Sequence, residues 1–576
     1  MNRKNFLQWG SAGLLAKAFP LGTGGDHAVL NQTKHALDGE NQFTDKKIFG
    51  QKAMVCTSQP LAVAAAYDVL KNGGNAIDAA IAANAMLSLT EPMMCGLGGD
   101  LFAIVWSAKE KKLSGLNASG RSPYNWTIDE AKKLGLTSIP SFGPLSWTVP
   151  GCVSGWNALL TKFGTKKLGE LLQPTVRYAI EGSPVTNAIA SDWKPERGVT
   201  DYATLNGTFL FRNNGLKPGE IFRNPRLAKT LELLSKDGAE AFYEGEIADR
   251  IVQFSGKNGG RFERQDFAAH RANWIEPICT SYRGYDVWQL PPNGQGMVVL
   301  QMLNILETFD IAQLQPNSAE AFHLFLEAKK LCFQDRAVYY ADTDFAAVPI
   351  QQLISKDYAI QRARQINPRK AAHSVGPGRI KNSSNTIYIT TADEEGNMVS
   401  LIQSLYSPWG SHYVVDDLGF ALQNRGALFS LNDTAWNKLE PHKRPLHTII
   451  PAFVTKNNEP VFSFGVTGGD FQPQGQVQVL MNIIDHKMPV QKAGEQLRLW
   501  HRESFESTNE KARDPGKIVA EPGFSAQVKG QLQQMGHQFS DQLRYFGGYQ
   551  GIWRTIHPQL FEGASDPRKD GCAFGY

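Results

Sequence analysis

The chain has 576 residues, of which 42% are hydrophobic and 20% charged, and a formal net charge of +4. That length can bury a large core and hold several domains, and the balance is that of a globular protein, not a disordered one. So small a charge, without a long basic run, excludes a nucleic-acid surface as the organising feature.

Residues 1–18 begin with Asn2-Arg3-Lys4 and continue into a weakly apolar run of small residues. Two readings stand, an export signal and an amphipathic N-terminus. In the first, Arg3-Lys4-Asn5-Phe6-Leu7 resembles a twin-arginine signal with lysine as its second basic residue, and Ala16-Lys17-Ala18 offers a cleavage site. That reading predicts an exported, periplasmic protein. No apolar run reaches the ~20 residues that span a bilayer, so a soluble mature chain is expected. Residues 19–46 are polar and irregular, as in a linker.

Pro60 to Lys71 reads as a helix with Ala62, Ala65, Ala66, Val69 and Leu70 on one face, closed by Asn72-Gly73-Gly74. Ala76 to Leu89 reads as a second, alanine-rich helix. Cys95-Gly-Leu-Gly-Gly-Asp100 precedes a strand, Leu101 to Trp106, and lacks the Lys-Ser/Thr of a phosphate loop, so it predicts a tight turn with close packing. Helical patterns follow over 155–182, 226–256 and 318–340, with a strand at 282–290. Later come strands: Ile449 to Thr455 and Val461 to Val466 as a hairpin across Lys456–Glu459, then a helix from Gln476 to Asp485. The whole predicts a mixed α/β protein without internal repeats.

The six cysteines (Cys56, Cys95, Cys152, Cys279, Cys332, Cys572) form no C-x-x-C pair and read mostly as buried thiols, with one disulfide left open. The histidines form no H-E-x-x-H, so neither a catalytic metal nor another cofactor is expected.

The segment Asn385-Thr386-Ile-Tyr-Ile-Thr-Thr391 reads as the first strand of a hairpin, after a loop-like stretch from Gly376 to Ser384. A threonine there is compatible with an ordinary loop-to-strand junction. It is also compatible with a self-cleaving chain, in which the new N-terminal residue supplies both nucleophile and base.

The company of this threonine resembles the gamma-glutamyltransferase family of N-terminal-nucleophile hydrolases, over roughly residues 46–576. The segments that carry it include Asn72-Gly-Gly-Asn-Ala-Ile-Asp78, Gly96-Leu-Gly-Gly-Asp-Leu-Phe102, Val149-Pro-Gly-Cys-Val-Ser-Gly155, Ala241-Phe-Tyr-Glu-Gly245 and Thr386 to Asn397. The resemblance implies a four-layer α/β/β/α sandwich, made as a precursor that cuts itself between Asn385 and Thr386. It implies three segments: 1–45 as export signal and linker, 46–385 as the large subunit and 386–576 as the small one, the last two forming one unit as a heterodimer. It also implies an acyltransferase and hydrolase acting on small amides, gamma-glutamyl compounds such as glutathione first. Thr386 falls at the nucleophile, Gly468-Gly469 at the oxyanion donors, and Ser404 at a hydroxyl that bonds the nucleophile's amino terminus.

The substrate pocket departs from the family. Leu428 stands where an aspartate would hold the glutamyl ammonium, which leucine cannot do. Arg425 is introduced beside Asn424, Tyr406 replaces an asparagine, and His447-Thr448 replace paired serines. Arg121 lies two residues from the family's carboxylate-binding arginine. These changes, with Gly468-Gly-Asp-Phe-Gln-Pro-Gln-Gly475, look like the branch of amidohydrolases and acylases that take other acyl groups, oxamate amidohydrolase among them. The pocket therefore leaves gamma-glutamyl and non-glutamyl donors both open, and a processed but inactive binding protein stands as the reading from another class.

Overall fold

In the computed structural model, residues 47–193, 202–210, 215–373, 385–504, 516–542 and 546–576 are described. The export-signal reading, the leader linker and the stretch Gly376–Ser384 lie outside them. Residues 47–576 form one compact unit.

Local signals set the first helices. Pro60–Lys71 starts with proline at its first position, where no backbone donor is lost, and is capped by the Gln59 side chain. Ala76–Thr90 opens with a capping box: the Asn75 side chain accepts from the N–H of Asp78, and the Asp78 carboxylate accepts from that of Asn75. All fifteen residues of this helix are buried, which its small side chains permit.

Two seven-stranded sheets, antiparallel throughout, form the centre. One runs in the order 48–50, 560–565, 549–555, 459–466, 452–456, 285–289, 278–282. The other runs 572–575, 54–57, 385–392, 398–406, 100–107, 112–118, 273–275. Alternation along each strand assigns the layers. In Asp100–Ser107, Phe102, Ile104 and Trp106 meet Tyr388, Ile402, Phe453, Ile552 and Phe561 between the sheets. Leu101, Ala103 and Val105 point the other way, into a cluster with the helices that carry Ala80, Leu87 and Trp156. On the far face of the first sheet, Val454, Phe462 and Phe464 pack against Met297–Leu306 and Ala319–Tyr339. Helix, sheet, sheet, helix are thus the four layers expected.

Several boundaries differ from the sequence reading. The pattern over 155–182 is two helices, Cys152–Phe163 and Leu168–Glu181, and that over 226–256 is three. The strand at 282–290 is a hairpin of Ile278–Tyr282 and Tyr285–Gln289, because Arg283 and Gly284 take positive φ and reverse the chain. The helix expected at Gln476 starts at Phe471, runs to Leu480 and ends in a π-helical turn, Met481–Asp485. All six cysteines are free, four buried and two partly so, and no disulfide forms. No helix among the described residues is long and apolar enough to cross a membrane.

Candidate active site

Thr386 stands at the head of the strand Asn385–Ala392, inside the second sheet, and is 2% exposed. The pairing with Met398–Tyr406 shifts register between Asn385 and Ile387, a bulge that re-aims the threonine. Its hydroxyl donates to Ser404 Oγ at 3.4 Å and accepts from Gln472 Nε2 at 3.3 Å. Ser404 Oγ in turn accepts from the N–H of Tyr406 at 2.8 Å. Tyr406 holds φ of +82°, an unusual backbone state for a bulky residue, at the position paired with Asn385. The turn expected before Asp100 packs directly behind: a Cβ on Gly99 would sit 2.5 Å from the Ser404 carbonyl oxygen.

The glycine pair lies where the strand Glu459–Val466 passes into the helix Phe471–Leu480. Gly468 and Gly469 have φ of +111° and +57°, and their carbonyls accept from the N–H of Phe471 and Gln472. The two glycine N–H groups have no acceptor among the described residues, so they can serve as anion donors. A buried network holds this turn. Gln295 Nε2 bridges the carbonyls of Thr448 (2.6 Å) and Gly469 (2.9 Å), while Arg336 bonds both Gln295 Oε1 and, at 2.5 Å, Asp470.

Arg425 is fully buried, with its guanidinium over the Tyr406 ring at 4.4 Å and Nη1 donating to Thr448 Oγ1 at 2.7 Å. Its Nε and Nη2 have no partner among the described residues. Burial pushes this guanidinium down to about 10, against the opposing pull of Asp100, Tyr406 and Asp470. Leu428 is buried nearby in sequence, on the single turn Arg425–Leu428.

Behind them lies Asp100, bonded to His447 Nε2 (2.9 Å), Gln423 Nε2 (2.8 Å) and the N–H of Gly120 (2.8 Å). Burial raises its carboxyl to about 7, in spite of Arg425 and these donors. Burial, then the charges of Arg425 and Arg444, hold His447 well below the usual imidazole range. The pair is therefore a hydrogen bond from a neutral imidazole and not a salt bridge. The N–H of Ile449 donating to Nδ1 at 3.4 Å agrees with this tautomer.

The structure thus brings together Thr386, Ser404, Tyr406, Arg425, Thr448, Gly468 and Gly469. Three expected substrate residues are engaged elsewhere. Asn424 Oδ1 accepts from the N–H of Ser407, and its Nδ2 donates to Ser407 Oγ and to the Ser141 carbonyl. Both nitrogens of His447 are committed as described. The Arg121 guanidinium turns to Asp344, Asp342 and the carbonyl of His442. Sequence reasoning missed Gln472, Gln295, Arg336 and Asp100. Gln472 stands in the Gly-Gly-Asp-Phe-Gln run already singled out, but reading the helix from Gln476 left it in a loop.

One group among the described residues has metal-ligand chemistry: His323, Glu327 and His537, with ligand atoms within 4.8 Å of one another. The Glu327 charge is already met by Lys330 at 2.7 Å, and none of the three contacts the Thr386 cluster.

Two seven-stranded sheets between helix layers, with a threonine at the head of a central strand, define the class of amidohydrolases that use an N-terminal nucleophile. The family described as Gamma-glutamyltranspeptidase matches residues 62–576, and the chain belongs to it. The "Glutathione hydrolase-like YwrD proenzyme" of Bacillus subtilis (strain 168) is 37% identical over 542 residues, covering 92% of this chain and 100% of that protein. The "Oxamate amidohydrolase proenzyme" of Klebsiella pneumoniae is 32% identical, covering 91% of this chain and 98% of that protein. The crystal structure of a cephalosporin acylase from Bacillus halodurans superposes with a TM-score of 0.84 at 39% identity, covering 92% of this chain and 97% of that one. The chain is accordingly an enzyme of the hydrolase and acyltransferase kind.

Proposed function

We propose that this chain is made as a proenzyme, cuts itself before Thr386, and then hydrolyses or transfers the acyl group of small carboxylated amides through Thr386. The observation that carries this is the setting of the Thr386 hydroxyl: buried, at a bulged strand head, between Ser404 and the Gln472 amide. In the precursor, Thr386 Oγ1 attacks the carbonyl carbon of Asn385. The C–N bond breaks, the nitrogen takes the proton, and water hydrolyses the resulting ester. In the mature enzyme the freed amino group accepts the hydroxyl proton as Oγ1 attacks the substrate amide, and returns it to the leaving amine. Gly468 and Gly469 supply donors to the oxyanion, and water or an amine then takes the acyl group.

The substrate reading begins from gamma-glutamyl amides such as glutathione. A second reading, acyl donors that carry a carboxylate but no α-ammonium, is favoured by Leu428 and by the two nitrogens of Arg425 without a partner among the described residues. The names of the relatives support both. The composition of residues 1–18 supports an exported protein, and the two segments are taken to stay together as a heterodimer.

Two experiments test this. Wild-type protein should separate into two fragments on a denaturing gel, the smaller beginning at Thr386, while Thr386→Ala stays one inactive chain; loss of the nucleophile costs on the order of 10⁶ in rate. An intact, fully active wild-type chain would end the assignment. For the substrate, kcat/KM should be at least as high for a glutaryl as for a gamma-glutamyl anilide. Leu428→Asp should move the preference about ten- to hundredfold towards gamma-glutamyl. A wild-type preference of a hundredfold for the gamma-glutamyl donor would remove the second reading.

A further inference from the structure

We infer that Gln472 is a catalytic residue, whose amide donates to the nucleophile's own oxygen in both self-cleavage and turnover. The inference rests on the assignment of Thr386 above. Gln472 is fully buried in the first turn of the helix Phe471–Leu480. Its Nε2 lies 3.3 Å from Thr386 Oγ1 and its Oε1 accepts the N–H of Ile450 at 3.0 Å. The second contact fixes the first. A main-chain N–H can only be met by the carbonyl end of the amide, so the NH₂ end must face the threonine. The hydroxyl proton is directed to Ser404 Oγ, leaving a lone pair of Oγ1 to accept from Gln472.

Oγ1 gains negative charge twice in each cycle. The first time is when it passes its proton to the amino group of Thr386 and bonds to the acyl carbon. The second is when that bond breaks, the acyl group leaves on water, and Oγ1 recovers a proton. Between these moments it is an ester oxygen and a weak acceptor. A fixed N–H therefore stabilises the two transition states more than the acyl-enzyme between them, which is what raises a rate. The same holds in the precursor, where Oγ1 bonds to the carbonyl carbon of Asn385 as the C–N bond breaks. Ser404 and the glycine pair act on the proton and on the carbonyl oxygen respectively, so neither duplicates this role.

The test uses the full-length protein with two variants. Gln472→Met removes the donor and keeps the bulk. Gln472→Glu keeps an acceptor for Ile450 and presents a donor only when its carboxyl is protonated. Both should slow fragment formation, followed by mass spectrometry, and lower kcat of the processed form about ten- to hundredfold with little change in KM. The Gln472→Glu variant should regain activity relative to wild type as pH falls, a pattern that a packing role would not produce. Processing and kcat within twofold of wild type in both folded variants would overturn the proposal. So would an equal loss at every pH that tracks a lowered Tm. Thr386→Ala separates the two claims. If it is inactive while the Gln472 variants behave as wild type, only the role of Gln472 falls; if it is active, the nucleophile assignment falls first.

Discussion

At Asp100 a single carboxyl takes a neutral imidazole, a glutamine amide and two backbone N–H groups, and burial still lifts it to about 7. An unfolded chain releases the same proton near pH 4. Between those values the folded state holds a proton that the unfolded state has lost. The contribution to stability is therefore complete below about pH 4 and disappears as pH rises to about 7. The difference in unfolding free energy between wild type and Asp100→Asn should fall by about 4 kcal/mol from pH 4 to 8 and level off above that. Urea midpoints across this range measure it, and a flat difference would mean that the carboxyl is ionised throughout. The family resemblance pointed to Thr386, Ser404 and the glycine pair, whose expected roles it carries by position. It could not reveal Asp100, because its role depends on meeting His447 and Gln423 from distant parts of the chain.

The elements divide by how local their signals are. Pro60–Lys71 and Ala76–Thr90 were legible because an apolar face, an alanine-rich run and the closing Asn72-Gly73-Gly74 all lie within a short stretch. The helix Phe471–Leu480 was legible only from Gln476, since four of its ten buried residues are glutamine. Gln474 pairs with both backbone groups of His501, Gln478 pairs with both of Leu499, and Gln476 reaches the Ile450 carbonyl. These amides imitate a neighbouring strand, so burial leaves no apolar period to read. A buried ion pair on Ala319–Tyr339 can be tested at the same scale. Lys330 and Glu327 have side chains 2% and 3% exposed and are 2.7 Å apart. Lys330→Met alone should cost about 3–5 kcal/mol by stranding the carboxylate, and adding Glu327→Leu should recover most of it. A double variant as unstable as the single one in urea would place the cost in packing, not in charge.

At the scale of the whole molecule, each sheet draws strands from both sides of the bond before Thr386. In the second sheet, 385–392 pairs with 54–57 on one side and 398–406 pairs with 100–107 on the other. In the first, 452–456 pairs with 285–289, and 48–50 with 560–565. Neither segment owns a complete sheet of the core.

With the cut proposed before Thr386, that interleaving makes the order of the reaction that unfolds the protein depend on its history. Before the cut, loss of structure releases one polymer and is independent of concentration. Afterwards it releases two, whose recombination is second order, so dilution favours the open state by mass action. The melting temperature of processed enzyme should climb with protein concentration, whereas that of uncut Thr386→Ala should stay constant, as calorimetry over a hundredfold dilution can establish. The proposed cut would thus work as a ratchet: assembly would be guided once by a continuous tether, and the working enzyme would then depend on never coming fully apart.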